Sequence, residues 1–330
     1  MERAAQPPLP AQPRVDDSTR GILFLCAGLF IFSFQDVIIK YLSADYPVHE
    51  LVFVRGLVAT PLLLLLVHYD SGFSSLRTDH VWLHIFRSIL MFCSYLFYYL
   101  AIAAIPITTA ISLFFAAPLF ITALAVPFLG EKVGYRRWLG VGAGFIGVLI
   151  MLRPGLGVFE PAALLALLSA FTYSCAQLLA RRLGLTDSAS VMAFYAAMVF
   201  TYIGGLMGFT IHLTGFAPSD HPSLDFLLKP WRMPGGLEFA MLMIIGVISA
   251  IGFYLLSQAY RVGAANVVAP FEYTAMLWAV ILTYMVWGTT PDAYTLLGAS
   301  IIVAAGIYVL RRERLKLKKP LAAKGPYRNR

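Results

Sequence analysis

The chain is a succession of apolar runs, each close to twenty residues long, separated by gaps of a few polar or turn-forming residues. A bilayer core is crossed by about 20 helical residues. Inside it the backbone must satisfy its own hydrogen bonds, which restricts spanning segments of this length to α-helices. A helix at the surface of a soluble core needs only one apolar stripe, whereas these runs are apolar on every face. Charged residues make up 13% of the chain and hydrophobic ones 59%, against roughly 25% charged in a soluble domain. The fold class is therefore read as an all-α integral membrane protein.

Boundaries at charge, Gly or Pro give ten transmembrane helices, at about 21–43, 48–69, 80–103, 107–129, 135–153, 161–180, 190–213, 238–260, 266–288 and 292–310. Residues 1–20, with Pro7, Pro8, Pro10 and Pro13, read as a flexible cytoplasmic tail, and 311–330 as a basic cytoplasmic one. The long connection 214–237, with four prolines and Trp231, is expected to be an outer loop or a short helix on the bilayer surface. Starting inside, the inner connections carry ten Lys and Arg before the tail, against four (Lys40, Arg153, Lys229 and Arg232) in the outer ones. That bias places both termini in the cytoplasm, and the protein in the inner (plasma) membrane as a multi-pass chain.

The net charge of +8 does not point to nucleic acid, because nine of the 25 basic residues follow Leu310, where a basic segment anchors to anionic lipid. Cys26, Cys93 and Cys175 lie within apolar runs at unpaired spacings and read as small hydrophobes. His80 and His84 have a metal-compatible i, i+4 spacing, but they fall at the expected membrane–water edge with no third ligand nearby in sequence. Neither a metal nor another cofactor is expected. Phosphate-binding loops and hydrolase motifs are absent from the sequence, so no catalytic residue is assigned. A membrane-embedded enzyme would need a polar catalytic cluster at one face.

Two copies of one pattern run through the chain. Residues 82–153 align with 240–311 at a constant offset of 158, placing Gly130 on Gly288, Leu139 on Leu297 and Gly140 on Gly298. Earlier helices match more weakly at an offset of 141, with Asp36 on Gln177 and Lys40 on Arg181. The long outer connection absorbs the difference. Five spans per copy is an odd number, so the copies must insert with opposite orientation, an inverted repeat recurrent among secondary transporters. The halves are expected at 21–155 and 161–310.

The segments FQDVIIKYL (34–42), HELVFVRG (49–56) and ISLFFAAPLFITALAVPFLGEKVGYRRWLGVGAGFIGVLI (111–150) resemble the drug/metabolite transporter superfamily, specifically its ten-helix EamA-type members. The second half departs from the pattern, with Gly288-Thr289 where the first has Gly130-Glu131. The resemblance implies a carrier of small metabolites such as amino acids, purines, vitamins, S-adenosylmethionine, metallophores or drugs. An efflux protein of the same superfamily is the alternative.

Ionisable groups within a span cost about 2.5–3.5 kcal/mol each at its centre and are functional candidates by default. Asp36 and Arg55 lie at similar depth, roughly 10 Å from the outer ends of the first two spans, and form a candidate ion pair. Lys40 is an alternative partner for Asp36 one turn away. Arg87 in the third span and Glu272 in the ninth match in depth near the inner side, with Glu131 as an alternative partner for Arg87. Such pairs would gate the path between the halves, and Glu272 is the candidate for a coupled proton or ion. Pro118 and Pro270 sit in the repeat-equivalent fourth and ninth spans and free the carbonyls of Phe114 and Asn266, which favours helices facing a cavity. Tyr95, Tyr98, Phe114 and Tyr273 are candidates for an aromatic wall suited to a ring or organic cation. Gln177, Ser257, Gln258 and Asn266 are candidates for directional hydrogen bonds within the same cavity.

Overall fold

A computed structural model describes residues 18–117, 119–121, 123–124, 135–153, 160–184, 186–215, 220–262 and 269–317. Its helices are α1 (Ser18–Leu42), α2 (Val48–Asp70), α3 (Val81–Ala104), α4 (Ile107–Phe114), α5 (Tyr135–Leu152), α6 (Ala162–Leu183), α7 (Ala189–Thr214), α8 (Pro222–Leu228), α9 (Gly236–Val262), α10 (Thr274–Trp287) and α11 (Ala293–Leu317). Two 3₁₀ segments, η1 (Phe73–Leu76) and η2 (Ala269–Tyr273), join them.

Local chemistry sets several of these ends. Ser188 caps α7 by accepting from the Val191 amide, and Gly215 closes the same helix in the left-handed region at φ 64°. Gly288, also at φ 64°, ends α10 by donating to the Tyr284 carbonyl. At α8, His221 accepts from the Ser223 amide and Pro222 fills the first turn, where its missing N–H costs nothing. Past Leu310 the helix continues to Leu317, further than expected, since Arg, Glu, Lys and Leu are good helix formers.

Among the described residues, six helices are long and apolar enough to cross a membrane: Thr19–Leu42, Val48–Asp70, Val81–Ala104, Ala162–Ala180, Ala189–Thr214 and Gly236–Ala259. The remaining apolar helices are shorter, Trp138–Leu152, Phe271–Trp287 and Ala293–Ala305 among them. Helical geometry is interrupted where proline was expected to matter. α4 stops at Phe114, and the Ala116 amide turns back to Leu113 before the chain resumes as helix. η2, which contains Pro270, precedes α10. Pro118 and Asn266 lie outside the described residues.

The exterior is apolar, as the interior is. Large apolar side chains such as Leu57, Trp82, Phe209 and Met285 are exposed, while Ser88, Ser94, Ser112, Ser169, Ser174 and Ser249 are buried between helices. An apolar exterior suits lipid, and the hydroxyls of Ser94, Ser169, Ser174 and Ser249 supply hydrogen bonds across helices. α1 packs along α9, α3 along α6, α2 along α7 and α5 along α11, and α4 lies against α6 and α10. Backbones approach closely at two seams. A Cβ on Gly56 would come 2.9 Å from the Thr201 amide nitrogen, and one on Gly298 would come 2.6 Å from the Gly147 carbonyl.

The connection after α7 is not a free surface loop. Phe226 of α8 is fully buried, and Ser223 Oγ donates to the Leu100 carbonyl at 2.7 Å, seating α8 on the end of α3. Trp231 then donates to Nδ1 of His49 at 2.5 Å, and Glu50 accepts from the Arg232 amide at 3.0 Å.

Candidate functional site

α1, α3, α4, α6, α9 and η2–α10 surround a cavity of about 120 Å³ in the middle of the bundle. Its walls are aromatic: Phe32, Tyr95, Tyr98, Phe114, Phe115 and Tyr173. Tyr98 meets Phe114 at 5.9 Å between ring centroids, and Phe114 meets Tyr173 at 5.1 Å. The polar atoms facing it come from Ser33, Gln35, Asp36, Ser94, Ser169 and Glu272. Among the described residues neither Lys nor Arg lines the cavity.

Asp36 reaches the cavity from α1 and accepts from the Tyr98 hydroxyl at 3.0 Å. Glu272, on the 3₁₀ turn before α10, accepts a long bond from the Tyr173 hydroxyl at 3.5 Å. Ser94 and Ser169 lock α3 to α6 by donating to each other's carbonyl, at 3.1 and 2.7 Å. Ser174 donates to the Ala117 carbonyl at 3.0 Å, satisfying an acceptor beside the break that follows α4.

The expected ion pairs are replaced by other partners. Arg55 does not meet Asp36: its Nη1 donates to the Tyr99 hydroxyl at 2.5 Å, and its guanidinium carbon lies 4.8–5.8 Å from the ring centroids of Tyr95, Tyr99, Phe200 and Phe253. Lys40 does not meet Asp36 either. Its ammonium donates to the Ile102 and Ile105 carbonyls at 2.5 and 2.8 Å, capping the C-terminal end of α3. Arg87 donates to the Met192 carbonyl at 3.4 Å rather than to Glu272. In each case a tyrosine hydroxyl or a backbone carbonyl takes the bond expected of the opposite charge. Glu131 lies outside the described residues.

Of the cavity candidates, the fold gathers Tyr95, Tyr98, Phe114 and Glu272 with Asp36. Tyr273 packs behind Phe115 at 5.0 Å, and Gln258 donates to the Tyr254 hydroxyl at 2.9 Å; neither lines the cavity, and nor do Gln177 and Ser257. The sequence reading missed Phe32, Gln35, Ser169 and Tyr173. Gln35 adjoins Asp36, and Tyr173 precedes Gln177 by one turn, so both lay within reach of residues already singled out. His84, expected at the membrane–water edge, is fully buried and pairs with Asp187 at 3.2 Å while stacking on Tyr195. No group of three or more metal-ligating side chains occurs among the described residues.

A crystal structure with 19% identity superposes with a TM-score of 0.61, covering 90% of this chain and 99% of its own, which shows the fold alone. The chain is 28% identical over 299 residues to an S-adenosylmethionine uptake transporter of Rickettsia felis, covering 91% of this chain and 95% of that one. It is 28% identical over 306 residues to a riboflavin transporter of Rhizobium johnstonii, covering 91% and 94%. It is 26% identical over 296 residues to a pseudopaline exporter of Pseudomonas aeruginosa, covering 89% and 97%. Residues 19–153 and 160–311 each match one family, and the chain, a membrane transporter of small metabolites, belongs to it: the EamA-like transporter family.

Proposed function

We propose that the protein is a secondary carrier in the bacterial inner membrane, with both termini cytoplasmic, which moves a small organic metabolite bearing a flat ring and a positive charge by alternating access. The observation that carries this reading is that Asp36 and Glu272, from opposite halves of the chain, line one aromatic-walled cavity, with no Lys or Arg in the lining among the described residues. Aromatic faces attract organic cations and stack on rings, and the carboxyl groups supply opposite charge.

Ten spans in two inverted five-helix halves, 21–155 and 161–310, fit the packing. Exchange each helix for its counterpart 141 or 158 residues further on: α1 for α6, α2 for α7, α3 for α9, α4 for α10 and α5 for α11. The α1–α9 contact then becomes α6–α3, while α2–α7, α4–α10 and α5–α11 become themselves. All five contacts occur in the bundle, as an inverted repeat requires. The cavity of about 120 Å³ is smaller than the roughly 300–1,000 Å³ of pockets for drug-sized ligands. A ring-bearing substrate therefore needs the halves to part, and we read the structure as a contracted state of the cycle. Glu272 is the residue we assign to a coupled proton or ion.

Purified full-length protein in proteoliposomes tests the reading. Saturable counterflow of labelled S-adenosylmethionine, competed by ring-bearing cations and lost in Asp36→Asn, is expected. An imposed pH gradient in the same vesicles reads the coupling. Uptake that fails to saturate, or that ignores Asp36→Asn, would remove the cavity from the transport path.

A further inference from the structure

The connection between α8 and α9 carries chemistry that transport through the cavity does not use. Residues 229–235 form no helix and cross the first turn of α2 as a strap. Three bonds pin it. Lys229 Nζ donates to the Ala44 carbonyl, the Trp231 indole nitrogen to His49 Nδ1 at 2.5 Å, and the Arg232 amide to a Glu50 carboxyl oxygen at 3.0 Å. The indole is seated on α7 at Gly208, where a Cβ would run into its ring nitrogen, and it tilts against Phe53 at 5.2 Å between centroids. The strap thus ties the start of α2 to a segment 182 residues further along the chain.

An indole N–H can only donate. His49 must therefore accept at Nδ1, which fixes it as the neutral ring with its proton on Nε2. His49 is 1% exposed, and Nε2 is buried without a well-aligned acceptor. A further proton on this ring goes to Nδ1, because Nε2 already holds one. Two donors then face each other, and the bond is lost. Stacking does not replace it. The two rings lie 6.2 Å apart between centroids, beyond the about 6 Å within which an aromatic face attracts a cation. A charged ring buried in this slot is costly, and the cost falls once the indole leaves and water enters.

Other charged or titratable groups stand around the contact. Glu50 follows His49 on α2, and Asp45, on the turn before it, lies 3.6 Å from the Arg232 guanidinium. Asp225 of α8 holds Lys229 at 2.6 Å, exposed His212 is one turn beyond Gly208 on α7, and Glu238 of α9 lies beside Gly235. Among the described residues the indole nitrogen donates to His49 alone.

We propose that His49 is a proton site and the strap its latch: the neutral ring holds Trp231 against α2 and α7, and the protonated ring lets it go. On the orientation proposed above, this end faces the periplasm, whose acidity then sets how readily the bundle opens there. The latch does not depend on which solute the cavity takes.

The test uses the full-length protein in detergent with 5-fluorotryptophan at its five tryptophan positions, the Trp231 fluorine resonance being identified by its loss in Trp231→Phe. As the pH is taken through and below the ordinary histidine range, that resonance is expected to move reversibly to the position of a solvent-exposed indole, while that of Trp82, at the start of α3, stays. His49→Asn keeps an acceptor oxygen close to the place of Nδ1 and does not titrate, so its Trp231 resonance should hold the neutral-pH position throughout. Glu50→Gln removes the adjacent titration and should respond as the unaltered protein does. A Trp231 resonance that ignores pH in the unaltered protein overturns the proposal, even if the variants do not fold. So does one that moves only together with Trp82, as on unfolding. A response that survives in His49→Asn, or vanishes in Glu50→Gln, overturns it too.

Discussion

At the residue scale, the charged groups of the spans are stabilised by neutral partners. Asp36 is held by a tyrosine, Lys40 by carbonyls and Arg55 by rings and a hydroxyl. The sequence singled out these ionisable groups, because charge in an apolar run is costly wherever it points. It did not identify their partners. Matching depth brought Asp36 and Arg55 to one level of the bundle, but rotation about each helix axis decides which side chains meet, and apolar runs that are uniform all round carry no sign of that rotation. Coupling should therefore appear between Asp36 and Tyr98. In a double-mutant cycle of Asp36→Asn and Tyr98→Phe, read as S-adenosylmethionine affinity, we expect an interaction term of about 0.5–3 kcal/mol, as for residues in direct contact. A strictly additive cycle would mean that the hydroxyl does not serve the carboxyl group.

Elements show a different balance. The breaks after Phe114 and at η2 were legible because proline is a local signal, tied to backbone chemistry rather than to tertiary context. The docking of α8 was not, since its anchor, Phe226, is one apolar residue in a proline-rich stretch and its burial depends on the end of α3. Repeat alignment had already set Gly140 on Gly298, yet the glycine that Gly298 touches is Gly147 on α5. A Cβ at Gly298 meets a carbonyl at 2.6 Å, and backbone cannot step aside as a side chain can. Gly298→Ala should therefore force α5 and α11 apart and cost about 1–3 kcal/mol, seen as a lowered melting temperature of the detergent-purified protein. Gly142, whose Cβ would meet nothing within 4 Å, is the matched control, and Gly142→Ala should be neutral.

For the whole molecule, the hydrogen bonds that close the bundle at the Lys40 end come from few residues. Lys40 joins α1 to the end of α3, Lys229 bonds the Ala44 carbonyl, and Trp231 and Arg232 hold the start of α2. Opening the cavity toward that end must release the first of these, because α1 and α3 both line it. Lys40→Met should raise the reactivity of a cysteine placed at Ser33 toward a membrane-impermeant maleimide applied from that side by severalfold. No change in labelling would show that the Lys40 bonds do not close the path.

Where α5 and α11 touch at Gly147 and Gly298, each glycine faces the other's carbonyl, with Met151 and Ile302 packed beside them. That seam can serve as a datum for motion elsewhere. Spin labels at Phe145 and Leu297, both on its exposed flanks, should report one unvarying separation through the cycle. Against that ruler, the travel of α1 relative to α3 becomes a length in ångströms.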